Sequence, residues 1–410
     1  MSSDQEAIKN GSPAMAKFNE RSDKAYREME KERINKVKLL HSALSKEKSN
    51  EAALLTGSTD MEKFSSIEEI PYPTLEDDKI IVKAIAYAAN PTDWKHAVFK
   101  IGTPGSIAGS DVSGIVEEVG KSVKGFEVGD VVSVTMHGNA SKTSGAFAKH
   151  VLANPALTFK YPKSQIKEEA LSLGDHPASL INTFEGAASV TLGLSTVGMA
   201  LSFNLGIKPH KSENASKFIL IWGGATATGI LAIQVAKQIY GLKVITTASS
   251  KHHQLLKSLG ADETFDYKES SVIEDIKSVA NGKILYAFDT VSEPETWQQT
   301  YDATEGSENV SLDNLLSLSE KDVKVKSQRA VKFSATLVYL TDGGSHFGLP
   351  ASAEIAKDHL YFKNELLTPH LKTIKNAPLK VLEAGLDSVN PAMKLLKNNE
   401  VNGEKIVFRS

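Results

Sequence analysis

The chain has 410 residues, a near-balanced set of 47 Lys and Arg against 50 Asp and Glu, and no cysteine. That length allows two or three domains with ample core, and a net charge of −3 gives no global pull toward nucleic acid or an anionic membrane. The lack of cysteine excludes disulfides, thiolate nucleophiles and every Cys-containing zinc site, and it fits a reducing, cytoplasmic location.

The start, MSSDQEAIKN, has acidic residues and no apolar core, unlike a signal or transit peptide. Nor does any uninterrupted apolar run approach the ~20 residues that a membrane helix needs. Residues 1–48 form a charged extension. Met29, Ile34, Val37, Leu40 and Leu44 give it only a thin apolar stripe, which predicts an exposed helix or a segment that orders on contact. From Ala52 the chain turns to short strands. IIVKAIAYAANP (Ile80–Pro91), GIVEEVG (Gly114–Gly120) and VGDVVSV (Val128–Val134) are β-branched runs bounded by proline and glycine, and they predict a small antiparallel barrel. Helical segments follow Pro162, among them Ala187–Leu201.

The stretch Lys217–Lys237, KFILIWGGATATGILAIQVAK, organises what comes next. Phe218–Trp222 is a buried strand, Gly223 and Gly224 make a turn, and a helix begins after Thr226 with Leu231, Val235 and Ile239 at four-residue spacing. Such a helix start leaves backbone amides unpaired at the positive end of the dipole, where a pyrophosphate can settle. Gly223, Gly224, Ala225, Thr226, Ala227, Thr228 and Gly229 are therefore candidate cofactor contacts, with the main-chain amides near the three glycines gripping the diphosphate. Ile230 and Leu231 follow Gly229 where a P-loop needs Lys and Ser or Thr, which excludes an NTPase. Against GxGxxG the match is imperfect, since Thr226 takes the middle glycine position.

Leu242–Ser250 is a second strand about 20 residues beyond the glycines and completes a βαβ unit. An NAD-preferring site would place an acid at its end. This chain has Ser249, Ser250 and Lys251, then His252 and His253, a set suited to a 2′-phosphate, so NADPH is expected over NADH. Thr264–Asp266, Ser271–Ala280 and Ile284–Thr290 continue the strand–helix alternation of a parallel sheet. Thr300–Lys324 is polar and expected to be loop, Lys332–Leu340 strand, Ala353–Lys375 helix, and KIVFRS a closing strand.

GGATATGILAIQVAK (Gly223–Lys237), SLGADETFDY (Ser258–Tyr267), NPTDWK (Asn90–Lys95), AGSDVSG (Ala108–Gly114) and GAFAKHV (Gly145–Val151) resemble the medium-chain dehydrogenase/reductase superfamily, in its zinc-free fungal enoyl-reductase and quinone-reductase-like branch. The resemblance starts near Asn50. It implies an α/β fold in which a GroES-like β-barrel catalytic domain carries an inserted Rossmann nucleotide-binding domain, a doubly wound parallel sheet. The expected organisation is an extension over 1–48, the first part of the catalytic domain over 49–180, the Rossmann NADP-binding domain over 181–345 and a return to the catalytic domain over 346–410. By the same resemblance Tyr267 lies beside the adenosine phosphate, and Lys95 and Thr196 contact substrate or cofactor. Metal-dependent alcohol dehydrogenases of the superfamily have a cysteine at the position of Asn90 and a histidine at that of Ser110, so no metal is expected, and Asn90 becomes a candidate donor to a substrate oxygen.

Two metal-free reductions then remain. Hydride addition to an activated C=C bond forms an enolate that hydrogen-bond donors stabilise. Carbonyl reduction forms an alkoxide and calls for a proton donor such as Tyr87, Lys95 or water. The leading expectation is an NADPH-dependent reductase of enones, quinones or enoyl thioesters, with an aldehyde or carbonyl reductase and a non-catalytic nucleotide-binding protein as alternatives. Expected partners are a small electrophilic substrate, no nucleic acid and no membrane, in a monomer or homodimer. GLSTVG (Gly193–Gly198) has one residue too many for a GxSxG nucleophile elbow, which disfavours a hydrolase.

Overall fold

The computed structural model describes residues 24, 27–36, 49–326, 329–346 and 348–410. The chain divides into two compact units, one of residues 1–50 with 70–74 and one of residues 51–69 with 75–410. In the first, residues 27–36 are helical and exposed, Met29 and Ile34 included. Apart from Lys24, the rest of the predicted extension, with Val37, Leu40 and Leu44, lies outside the described residues.

β1 (Ser49–Leu55) and β2 (Ser65–Pro71), most of whose residues belong to the second unit, form a two-stranded sheet. The small, β-branched runs noted in the sequence then become β3 (Ile80–Ala88), β4 (Asp111–Val119) and β5 (Val131–Thr135), with helix α1 (Pro91–Val98) between the first two. Helix α1 starts where the Asn90 backbone amide donates to Asp93 Oδ2 and Pro91 occupies the first turn, where its missing N–H is not needed. β6 (His150–Ala153), β7 (Thr158–Tyr161) and β8 (Gly174–His176) follow.

From Phe184 to Asn204 the chain is helical, including α2 (Thr191–Gly198). This stretch is long and apolar enough to cross a membrane, yet 83% of its most apolar window is buried inside the protein, as befits a core helix. Next come β9 (Phe218–Trp222), α3 (Ala227–Val235), β10 (Lys243–Thr247), α4 (His253–Leu259), β11 (Glu263–Phe265), α5 (Val272–Ala280), β12 (Ile284–Asp289), α6 (Pro294–Ala303), β13 (Val310–Asn314) and β14 (Val331–Phe333). All six strands are parallel, in the order β11-β10-β9-β12-β13-β14. Alternate residues of β9 feed different cores. Ile219 and Ile221 pack with Ile230, Ile233 and Val244 of one cluster, whereas Phe218, Leu220 and Trp222 pack with Ile276, Trp297 and Tyr301 of another. A strand buried on both faces is what produced the continuous apolar run FILIW.

The chain ends through α7 (Ala353–Tyr361), β15 (Leu379–Val381), α8 (Val389–Lys397) and β16 (Lys405–Arg409). β16 pairs antiparallel with β3, Val407 opposite Ala88, and the larger sheet runs β7-β5-β4-β3-β16-β15-β8, with β6 also on β3. The parallel sheet is thus an insertion between strands of a mostly antiparallel one. The polar stretch expected to be loop contains β13, and the expected strand Lys332–Leu340 is limited to β14. Ser334 and Thr336 still donate to Leu312 O and Asn314 O. There β13 ends, so pairing ceases and the chain turns into the tight helical turn Val338–Asp342.

Candidate active site

Gly223–Thr226 joins the carboxyl end of β9 to α3. Gly223 has φ of +81°, which glycine adopts without strain. A Cβ on Gly224 would lie 2.0 Å from Thr246 Oγ1, and one on Gly229 2.4 Å from the Gly223 carbonyl oxygen. The turn thus closes on β10, and the helix on the turn, only because these positions lack side chains. The amides of the glycines are committed inside the protein: Gly223 N–H donates to Thr247 Oγ1 at 3.1 Å, Gly224 N–H to Thr247 O at 2.9 Å and Gly229 N–H to the cap Thr226 Oγ1 at 2.9 Å. The glycines' own amides are thus satisfied within the protein, and the amides near them are the ones left for a ligand. Ala227 and Thr228 open the helix, so their amides have no acceptor within it, and Ala225–Thr228 are only half-buried. These residues, with the helix dipole, fit an anionic group; the glycines shape the cradle and Thr226 caps it.

The next parallel strand carries the other predicted contacts. Ser249 Oγ donates to Tyr267 Oη at 3.4 Å, which brings together residues following β10 and β11. Lys251 is exposed in the turn Ser250–His252, and the Lys268 ammonium lies 5.8 Å from the Tyr267 ring centroid. An acid absent from the end of β10 arrives from β11. Asp266 accepts from the amides of Lys268 at 3.1 Å and Ser250 at 3.0 Å, and these hydrogen bonds hold its carboxyl below the usual carboxylate range. The pairing of Thr247 with Phe265 sets Asp266 there, which no local spacing around Ser249 discloses. The loop before β16 borders the same region: a Cβ on Gly403 would be 3.1 Å from His252 Cε1 and 3.2 Å from Ala225 O. Burial, then the neighbouring Lys251 charge, lowers the pKa of His252.

On the barrel side Asn90 is buried in a polar cluster. Its Nδ2 donates to Asp111 Oδ2 at 2.9 Å, its Oδ1 accepts from Lys405 Nζ, and its backbone N–H donates to Asp93 Oδ2 at 2.8 Å. Ser110 Oγ donates to Asp93 Oδ1 at 2.6 Å, and Lys405 Nζ stands 3.3 Å from Asp111 Oδ2. Burial pushes the Asp93 carboxyl up to about 7, and it also raises Asp111, against which the Lys405 charge acts first. Asp111 Oδ1 accepts the Leu192 amide at 2.7 Å, which ties the cluster to α2. Thr196 on that helix is buried, and its hydroxyl donates to Leu192 O at 2.8 Å. Lys95 is half-buried on α1. Burial lowers its pKa, and the charge of Glu293, beyond β12, opposes that shift. Tyr87 is buried in the barrel with its hydroxyl donating to Ala148 O at 3.0 Å.

Asn90 and Thr196 are therefore linked through Asp111 and Leu192, Lys95 sits about one turn from Asn90 within reach of Glu293's field, and the residues expected at the cofactor phosphates form a separate group on the parallel sheet. Sequence reading missed Asp93, Asp111 and Lys405, although the first two lie inside the quoted motifs and Lys405 is a lone cation opening an apolar strand. It also missed Tyr339, whose hydroxyl meets Thr92 Oγ1 and lies 3.0 Å from His96 Nε2.

Two family models match the chain: the alcohol dehydrogenase GroES-like domain over residues 76–163 and the zinc-binding dehydrogenase over residues 227–340. The trans-enoyl reductase ACTTS2 of Alternaria alternata is 36% identical over 355 residues, 84% of this chain and 95% of that protein. The uncharacterized protein YNL134C of Saccharomyces cerevisiae is 36% identical over 357 residues, 83% and 93% of the two chains. The quinone oxidoreductase from Coxiella burnetii shares the fold, with a TM-score of 0.62 at 23% identity over 88% of this chain and 100% of that one. The chain belongs to the medium-chain dehydrogenase/reductase superfamily, whose members are oxidoreductases that bind a nicotinamide cofactor.

One matched family is described as zinc-binding. That match does not include residues 90 and 110, where the resemblance expects metal ligands; there the chain has the amide of Asn90 and the hydroxyl of Ser110, with the Lys405 ammonium bonded to Asn90 and facing Asp111. A site with neither thiolate nor imidazole, and with a cation already inside it, does not fit zinc.

Proposed function

We propose that the protein reduces activated C=C bonds of small electrophiles with NADPH, independently of zinc at the superfamily's usual position. The observation that carries this reading is the replacement of metal-ligand chemistry by the Asn90, Ser110 and Lys405 cluster, and the 36% identity to a trans-enoyl reductase supports it. A reduced nicotinamide, when bound, supplies the hydride. The chain's own groups supply the rest. The Ala227 and Thr228 amides and the α3 dipole hold a diphosphate, while Ser249, Ser250, Lys251 and Tyr267, joined by Lys268, receive the 2′-phosphate end. Asp266 has both carboxylate oxygens engaged by backbone amides, and two lysines outweigh its charge. Lys95, whose pKa burial depresses, is placed to stabilise the enolate oxygen and to return a proton toward the α-carbon. A hydride on the β-carbon and a proton on the α-carbon would complete the reduction of the double bond.

The test follows NADPH consumption with an enone, a quinone and a saturated aldehyde. Turnover of the enone or quinone with little on the aldehyde supports the proposal. Preference for the aldehyde replaces it with carbonyl reduction, and tight NADPH binding without turnover of any acceptor replaces it with a non-catalytic binding role.

A further inference from the structure

The tight turn Val338–Asp342 and the four residues after it return toward the barrel beside α1, and they bring two histidines and a carboxylate together. His137, two residues beyond β5, has its Nε2 3.5 Å from Asp342 Oδ2. His346 Nε2 lies 2.8 Å from Asp342 Oδ1 and 2.9 Å from Oδ2. The two imidazole rings stack with centroids 3.8 Å apart, 30° from parallel. All three groups offer ligand atoms within 4.8 Å of one another.

We infer that His137, Asp342 and His346 form a binding site for a divalent transition-metal ion of the zinc class, which pins the 338–346 segment to the barrel. The two histidine-to-carboxylate separations fit. Ligands about 2.1 Å from a common ion lie about 3.4 Å apart in a tetrahedron and about 3.0 Å apart at adjacent corners of an octahedron, and the nitrogen-to-oxygen distances here run from 2.8 to 3.5 Å. Hydrogen bonding alone leaves the group unfinished. One proton on His346 satisfies Asp342, but 3.5 Å is too long for a bond from His137. His137 is itself only 8% exposed, and it turns Nε2 toward Asp342 at 3.5 Å. An ion bound there would engage that nitrogen across a distance no hydrogen bond spans. Two imidazoles and one carboxylate favour zinc, cobalt or nickel over magnesium or calcium, and three protein ligands leave a position open for water.

This site is distinct from the Asn90 and Ser110 position. Its ligands come from strand and turn segments separated by the whole parallel sheet, so histidine spacing in the sequence could not announce it. It also adjoins the Tyr339, Thr92 and His96 contact, since the Tyr339 ring centroid is 5.7 Å from that of His137.

The experiment uses tag-free full-length protein stripped with a chelator, then titrated with Co²⁺ and followed by visible d–d absorption and calorimetry, with Zn²⁺ as competitor. One ion per chain is expected, with a rise in melting temperature. H346Q and H137Q should each weaken Co²⁺ binding by at least about tenfold, whereas H210Q, at an exposed histidine, should leave it unchanged. H346Q lies in a half-exposed turn, and an unaltered far-UV spectrum will show that its fold persists. Absence of Co²⁺ and Zn²⁺ binding up to about 1 mM, or equal affinity in wild type, H137Q and H346Q, overturns the inference.

Discussion

Lys405 provides the sharpest test of how the buried polar cluster around Asn90 is held. Its ammonium is buried with Asn90 Oδ1 and the Asp111 carboxylate as partners, and Asp111 is itself fully buried. Replacing Lys405 with methionine keeps most of the apolar stem but leaves the Asp111 charge with two hydrogen bonds, from Asn90 Nδ2 and the Leu192 amide. Removing one partner of a buried ion pair costs about 3–5 kcal/mol. At about 2.1 cal/mol/K per residue, an unfolding entropy for 410 residues is about 0.9 kcal/mol/K, so the melting temperature should fall by roughly 4 °C. The companion change Asp111→Asn removes the stranded charge, and an asparagine can still accept the Leu192 amide. The double variant K405M/D111N should therefore recover most of the loss. Calorimetry of the wild type, both single variants and the double variant closes a thermodynamic cycle. A loss below about 1 kcal/mol in K405M, or a double variant no more stable than K405M, would refute the view that a paired charge holds Asn90 in place.

Lys251→Gln should weaken NADPH binding about tenfold and NADH binding little, as measured by fluorescence titration; equal weakening would remove Lys251 from the phosphate site. Asp93 has a folded-state pKa of about 7 against an ordinary 3.8, so the folded protein holds the extra proton between these values. Its contribution to stability is then lost as pH rises from 3.8 to 7, by on the order of 4 kcal/mol. Denaturation of D93N and wild type at pH 5 and 8 should show D93N gaining relative stability at the higher pH, and parallel profiles would contradict the burial argument. Gly229→Ala places a methyl against the Gly223 carbonyl, which should destabilise the protein by about 1–3 kcal/mol and weaken either coenzyme by more than tenfold. Unaltered coenzyme binding in a folded G229A protein would mean that the turn is not the diphosphate cradle. Lys95→Met should lower kcat/KM for an enone by about 10²-fold with little change in NADPH affinity, and unchanged kinetics would exclude Lys95 from proton donation.

What the sequence disclosed and what it concealed differ by the range of the interaction. The strand–turn–helix at Phe218–Val235 was legible because its parts are consecutive: an apolar run buried on both faces, glycines where side chains would collide, and Thr226 at the cap. Strand β13 was hidden because its last two residues are polar and yet buried. Asp313 accepts from Asn204 Nδ2 at 3.0 Å and from Thr336 Oγ1, and Asn314 Nδ2 donates to Leu318 O and Ser334 O. A pattern rule reads such residues as loop, since their partners lie far along the chain.

The same limit explains the site. Asn90, Lys95 and Thr196 could be singled out because the family resemblance points to their positions, but what fixes Asn90 is a lysine that enters on the last strand. β16 pairs Val407 with Ala88, and that pairing sets Lys405 beside the residue that precedes α1. A zinc-free reading based on lost ligands alone states only what is missing. The Lys405 ammonium adds a positive reason, because a fixed cation hydrogen-bonded to Asn90 and balanced by Asp111 leaves the position chemically complete. If that is right, restoring ligand residues at positions 90 and 110 alone should not create zinc affinity there. The lysine would have to be removed as well, and zinc uptake by N90C/S110H with Lys405 intact would show that the ammonium does not exclude the metal.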